Sequence, residues 1–221
     1  MPIEKLRADF RRLDSDELDR WSEVATSIIG DELNRLGIMD AGIRPLTPHE
    51  GIAGQAITVE CAPGDNGPLH YALDQLSEGL ALVANGQAYL NNALWGEIMH
   101  TCAAAQGTRL VVIDGSMRDL SQIRRSGLPA YARGVCPRGP HKGWGGSINK
   151  VIQCGGVPVS PGDLVVGDQD GIAIVPLDAL PGLYERCRSR IEQERATLVR
   201  MREGDLTVSV QNLPPVEEIG R

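Results

Sequence analysis

Apolar residues gather in short runs through the middle of the chain, bounded by Gly, Pro and Asn, and thin into modest stripes among charged residues toward both ends. The runs at 80–84 (LALVA, closed by Asn85-Gly86) and 110–113 (LVVI) read as buried strands, because unbroken apolar runs of this length suit a parallel sheet covered on both faces. Between them a helix opens over 94–99 and ends at the turn Gln106-Gly107. Strand, helix and strand form a βαβ unit with a right-handed crossover. In such a unit the start of the helix and the end of the second strand share one edge of the sheet. The spacing therefore predicts that Glu97 meets the Arg118-Asp119 pair, with Asp114 and Gly115 delivered to the same carboxyl edge, where open α/β sheets hold ligands.

The rest of the pattern supplies cover for that unit. Residues 3–12 and 18–36 are predicted to be helices, with Asp14 or Ser15 as N-cap, Gly37 as the stop, and Asp31 facing a site or a neighbouring subunit. A strand follows at 54–61, a loop at 63–68, a short helix at 69–76, another at 120–126 and a strand at 129–135. Residues 149–176 read as a β-meander, 178–203 as a long C-terminal helix and 204–221 as a loosely attached tail. The expected organisation is a single α/β domain over 1–221: N-terminal helices at 1–40, an α/β core at 54–176, then the helix and the tail.

Composition narrows the function. The formal charge of −7, with no basic block, argues against nucleic acid, and no apolar run approaches the roughly 20 residues of a membrane span. Only three of the 22 basic residues are lysines, so fixed bidentate arginine contacts with carboxylates are favoured over mobile charge. The five cysteines are widely spaced and never form C-x-x-C, which suits a reduced, cytoplasmic protein with structural thiols. The glycine-rich stretch 137–146 matches neither phosphate-binding pattern and reads as a loop at a rim or subunit contact. Asp163, Asp168 and Asp170 read as turn residues, since the late glutamate of a calcium loop is missing.

Spacing alone admits a salt-bridged cluster of Glu97, Arg118 and Asp119, and three features favour a site. The helix opens at Gly96, so the amides of Gly96, Glu97, Ile98 and Met99 are accessible to an anion; Arg118 offers a fork for a carboxylate; and two acids give the sparse oxygen ligation of a hydrated Mg²⁺ or Mn²⁺. An anion pocket beside a divalent cation describes a 2-oxo acid. Such an acid can undergo retro-aldol cleavage or decarboxylation at C3. A Schiff-base route would need a desolvated lysine, and Lys5, Lys142 and Lys150 all lie outside apolar runs. Neither a dinucleotide fingerprint nor G-x-S-x-G is present.

These residues resemble a known family. Gly-Glu-Ile-Met at 96–99, the interval from Glu97 to Arg118-Asp119, Gly-Asp-Asn at 64–66, Ile-Asp-Gly at 113–115 and Pro-Gly-Asp-Leu-Val at 161–165 are similar to the 4-hydroxy-4-methyl-2-oxoglutarate / 4-carboxy-4-hydroxy-2-oxoadipate aldolases. That fold family includes the regulator of ribonuclease activity A, and the likeness spans about residues 20–205. The resemblance implies an α-β-β-α sandwich like swivelling phosphohistidine domains, assembled as homotrimers or homohexamers with sites between subunits. It implies a metal-dependent class II aldolase that releases pyruvate, often with oxaloacetate decarboxylase activity, in the breakdown of aromatic acids. Asp119 would bind the metal directly, Glu97 would hold a metal-bound water, and Arg118 with the 96–99 backbone would grip the pyruvyl group. Glu194, with Glu192 as competitor, would reach a neighbouring subunit's metal waters. Candidate selectivity residues are Asn66, His70, Arg138 and His141. Many relatives carry Asp where this chain has Glu97, which keeps the charge but shifts the water. The non-catalytic regulators lack this acid, so its presence favours an enzyme over a ribonuclease-binding regulator.

Overall fold

The computed structural model of the protein describes residues 2–211, 213–217 and 219. Its first element is a strand, β1 (Ile3–Lys5), where a helix over 3–12 was expected. Pairing with distant backbone outweighs local helical preference here. β1 lies parallel to β7 (Gly146–Ile148), and the buried Gln55 accepts from the Leu13 N–H (2.7 Å) and donates to the Arg11 carbonyl (2.9 Å), drawing the segment along the sheet.

The helix expected over 18–36 is instead two, α1 (Ser15–Ser22) and α2 (Thr26–Glu32). Asp14 caps the first, accepting from the Glu17 N–H at 2.8 Å. The second is capped from far along the chain: the Asp168 carboxylate accepts from both the backbone N–H and the hydroxyl of Thr26, each at 2.8 Å. That same carboxylate accepts from the N–H groups of Asp170 and Gly171, so it is a turn and cap residue.

Then follow β2 (Arg44–Pro45), β3 (Gly51–Cys61), α3 (Gly67–Ala72) with a 3₁₀ turn at Leu73–Gln75, and β4 (Leu80–Trp95). The expected stop at Asn85-Gly86 does not end β4. Asn85 accepts from the Gln87 N–H (2.7 Å), Gln87 and Ala88 adopt positive φ (57° and 55°), and the strand resumes after bulges against its neighbour. The next helix, α4 (Glu97–Ala105), consequently starts three residues later than position 94. It leads to β5 (Leu110–Met117), α5 (Leu120–Arg125) and β6 (Ala130–Val135).

After β7, the expected meander is two separate hairpins. Among the described residues, β8 (Ile152–Cys154) and β9 (Val157–Val159) pair only with each other, whereas β10 (Leu164–Asp168) pairs antiparallel with both β11 (Ile172–Val175) and β3. The C-terminal helix α6 (Leu183–Arg202) is shorter at its start than 178–203, because a 3₁₀ turn at Leu177–Ala179 and Pro181-Gly182, with φ +77° at the glycine, precede it. Of the tail expected at 204–221, Thr207–Ser209 forms a 3₁₀ turn and the other described residues are largely exposed; residues 212, 218, 220 and 221 lie outside the described set.

β3, β4, β5 and β6 run parallel at the centre of the sheet. Their alternate residues feed different cores: Leu82, Ala84, Val111 and Ile113 pack toward α3, α4 and α5, while Val83 and Val112 pack toward the β8–β9 hairpin and Ile172 and Ile174. A third cluster joins α1, α2 and α6 to the outer side of β10 and β11. The mixed α/β layering expected from the sequence is thus present. Among the described residues, no helix is long and apolar enough to cross a membrane.

Candidate active site

The βαβ unit is formed by β4, α4 and β5, and both strand and helix deliver their ends to one edge. There the Arg118 N–H donates to the Trp95 carbonyl (2.9 Å), and the Glu97 N–H donates to Asp119 Oδ2 (3.1 Å). The expected meeting of Glu97 with Arg118 and Asp119 is therefore made through Glu97's backbone, with its side chain left exposed. Arg118 Nε lies 3.4 Å from Asp119 Oδ2, and each side chain is more than a third exposed.

Local backbone explains the arrangement. Asp119 sits in the left-handed region (φ +58°, ψ +37°), which Asp tolerates better than most residues. From there its carboxylate does not cap its own helix α5; it turns back onto the N-terminus of α4. Gly96 makes room for it. A Cβ at this extended residue would stand 2.6 Å from Asp119 Oδ2 and 3.1 Å from Arg118 Nε. The first-turn amides of Ile98 and Met99 lie beyond the reach of intrahelical acceptors, as at any helix start, and add partial positive charge. Ile98 is exposed and Met99 is buried.

The glycine-rich loop after β6 borders the same edge. Its Arg138 carbonyl accepts from the Ala93 N–H (2.8 Å), its Gly139 carbonyl accepts from Asn92 Nδ2 (2.5 Å), and a Cβ on Gly139 would come within 3.0 Å of Arg118 Nη1. Sequence reading placed this loop at a rim but missed that Asn92 and Gly139 hold it against Arg118; the glycine run was the available signal.

Other candidates fall elsewhere. Asp114 is buried inside β5, bound to Arg133 Nε (2.6 Å) and the Gly155 N–H (2.8 Å), and is structural. Asn66 is buried, donating to the Leu94 carbonyl (2.9 Å) with Oδ1 unpartnered, and its N–H donates to the His141 carbonyl (3.0 Å). Asn66 and His141 therefore fix the loop beside the site. The His141 ring stacks on Trp144 at 4.6 Å, and the Arg138 side chain is exposed. His70 lines a separate cavity with Asp65, Tyr71 and Lys142, where burial and then the Lys142 charge lower its pKa.

Asp31 pairs with Arg190 (3.0 Å), which also holds Glu194 (3.2 Å), while Glu192 pairs with Arg195 (2.7 Å). α6 packs in the third cluster and α4 in the first, and the Glu194 carboxylate is taken up by Arg190, so no hydrogen bond or ion pair joins it to Asp119 among the described residues of one chain. Among the cysteines, Cys61, Cys154 and Cys187 are buried, with thiol pKa values raised mainly by burial, to about 11 for Cys187; Cys102 is exposed and Cys136 intermediate.

The donor set fits a hard, hydrated cation. Among the described residues, no group of three or more His, Cys, Asp or Glu gathers as a metal cage. At this edge one carboxylate oxygen, Asp119 Oδ1, has no partner within the described residues, and the exposed Glu97 carboxylate stands on the adjoining helix. A cation that keeps most of its waters, such as Mg²⁺ or Mn²⁺, suits this sparse oxygen set, whereas zinc would want imidazole or thiolate. His100 is not available: Nδ1 accepts from Trp95 Nε1 (3.1 Å) and Nε2 faces Ser126 Oγ (2.8 Å).

Comparison with known proteins decides the lineage. Residues 26–174 match the family model described as "RraA-like: Aldolase/RraA". The chain belongs to the RraA-like family. A family relative from Halalkalibacterium halodurans, named "Putative 4-hydroxy-4-methyl-2-oxoglutarate aldolase", is 30% identical over 181 residues, covering 82% of this chain and 86% of that protein. A crystal structure of an uncharacterized protein from Pseudomonas syringae pv. tomato is 26% identical, with a TM-score of 0.76 and coverage of 89% and 97% of the two chains. The RNA-processing inhibitor RraA from Thermus thermophilis shares the RraA-like fold at 24% identity, with a TM-score of 0.64 over 70% of this chain and 93% of its own.

Proposed function

We propose that the protein is a divalent-metal-dependent class II aldolase that cleaves a 4-hydroxy-2-oxo di- or tricarboxylic acid, of the 4-hydroxy-4-methyl-2-oxoglutarate or 4-carboxy-4-hydroxy-2-oxoadipate type, to pyruvate and a second oxo acid. The observation that carries this reading is the Asp119 carboxylate seated on the N-terminus of α4 beside the Arg118 guanidinium, where a cation and a small oxo acid can share one edge. The names of relatives from the same family support it.

Asp119 would hold the metal directly, Glu97 through a water, and Glu194 of a neighbouring subunit through a further water in a homotrimer or homohexamer. When bound, the Mg²⁺ or Mn²⁺ would act as a Lewis acid toward the 2-oxo acid. Arg118 donates two N–H groups to the substrate carboxylate in a bidentate grip. The amides of Ile98 and Met99 face the negative charge that grows on the oxo group as the C3–C4 bond breaks and its electron pair moves into the pyruvyl fragment. The proton from the C4 hydroxyl leaves through a water positioned by Glu97, and a proton is returned to C3 by the same path. Loss of CO₂ from oxaloacetate breaks a bond at the same carbon, so decarboxylation is an expected side activity.

Turnover of the two named acids and oxaloacetate, followed by pyruvate release with Mg²⁺ or Mn²⁺ present, tests the reading. Pyruvate from at least one acid, suppressed by chelator, supports it; no turnover of any of them overturns it. The ribonuclease-regulator alternative falls under the same family description and has a structural neighbour at 24% identity, and the acid at position 97 speaks against it.

A further inference from the structure

The groove between α4 and α5 starts at the candidate site, because both helices do: α4 at the Glu97 amide that binds Asp119, and α5 directly after Asp119. One face of each helix lines a cleft of about 350 Å³, with Glu97, Thr101 and Ala104 from α4 and Gln122, Arg125 and the adjoining Ser126 from the α5 side. The His100 wall is uncharged in this arrangement. With Trp95 donating to Nδ1, the neutral ring carries its proton on Nε2 and donates to Ser126 Oγ, which in turn donates to the Ile123 carbonyl. Glu97 at the near end repels a negative group. Arg125, six residues or about 9 Å along the helix from Asp119, attracts one.

Three polar side chains in this cleft have no hydrogen-bond or ion-pair partner among the described residues: the Thr101 hydroxyl, the Gln122 amide and the Arg125 guanidinium. The neighbouring Arg124, by contrast, donates to the Leu46 carbonyl (2.9 Å). Side chains on a helix lean toward its N-terminus, so Gln122 and Arg125 lean toward Asp119 and Thr101 leans toward Glu97.

We propose that the α4–α5 cleft is the subsite for the second carboxylate of the ligand, bound by Arg125 with Gln122 and Thr101, and that it selects 2-oxo dicarboxylic acids over 2-oxo monoacids. This rests on the proposed function only in placing the 2-oxo end at Arg118. Calorimetric titration of the full chain in Mg²⁺ with 2-oxoglutarate and with 2-oxopentanoate tests it without turnover. The wild type is expected to bind the diacid about tenfold more tightly. Arg125→Ala is expected to erase that preference while the monoacid affinity and the melting temperature stay unchanged, and Arg125→Lys to keep part of it. A wild type without preference for the diacid, an Arg125→Ala that retains it, equal losses for both acids, or no binding of either acid would each overturn the subsite. A preference that depends on Arg125 in a protein that releases no pyruvate would leave the subsite standing and overturn the aldolase reading.

Discussion

The backbone N–H of Glu97 donates to Oδ2 of Asp119 across 3.1 Å, joining the first residue of α4 to the residue that follows β5. Twenty-one residues separate them in the chain, yet one hydrogen bond puts a carboxylate on the positive end of a helix, and its second oxygen accepts no hydrogen bond from the described residues. Replacing Asp119 separates its two roles. Asn tolerates the left-handed backbone and keeps an oxygen for the Glu97 amide, so Asp119→Asn should melt within a few degrees of wild type while losing at least about 100-fold in kcat. Asp119→Ala should lose activity equally and also lose roughly 1–2 kcal/mol in chemical denaturation, from the left-handed residue and the missing cap.

Gly96 is fixed by proximity, since its φ of −155° is open to any residue. A methyl group there would meet Asp119 Oδ2 at 2.6 Å, and the side chain that must give way is the candidate metal ligand. Gly96→Ala should therefore fold normally by circular dichroism, because a flexible carboxylate can move. Its kcat/KM should fall by about 10- to 100-fold, and the metal concentration for half-maximal rate should rise.

Arg118 lies between the Asp119 carboxylate and Gly139. Arg118→Ala removes a charge-assisted contact worth about 1.5–3 kcal/mol, which converts to a roughly 10- to 100-fold rise in the Kd for pyruvate. Arg118→Lys keeps the charge without the planar fork and should fall between the two. Pyruvate titrations of the three proteins at fixed Mg²⁺ would read this order.

His100 couples stability to acid. Burial lowers its pKa to about 4, and protonating Nδ1 would set a donor against the Trp95 Nε1–H. An unfolded histidine takes a proton below about 6.5. Between that pH and about 4 the unfolded chain binds more protons than the folded one, so stability is present above 6.5 and falls as the pH drops. Urea denaturation of wild type and His100→Gln from pH 7 to pH 4 should show the wild-type advantage shrinking toward acid; a constant difference would contradict the assignment.

The central fold was legible in the sequence because its information is local. The apolar runs at 80–84 and 110–113, with the Gln106-Gly107 turn between them, specify a βαβ unit, and the rule that its helix start and strand end share an edge brought Glu97 to Asp119. What misled was structure set by distant partners. Nothing near residue 3 reveals that β7 will pair with it, and nothing near Thr26 reveals that Asp168 will cap its helix. Asn85-Gly86 looked like a strand end because a bulge and a turn use the same residues. At the site, residue types were readable but their modes were not: Glu97 engages Asp119 through its amide, and the groove toward Arg125 follows from how two helices share an origin.

Pyruvate release from 4-hydroxy-4-methyl-2-oxoglutarate, measured on wild type and Asp119→Asn after chelator treatment and stepwise return of Mg²⁺, puts the metal-bound oxo-acid site to trial. Wild-type activity should vanish with chelator and return with saturable Mg²⁺, while Asp119→Asn stays near background at every concentration. A wild-type rate that persists in chelator, or an Asp119→Asn rate equal to wild type, would contradict it.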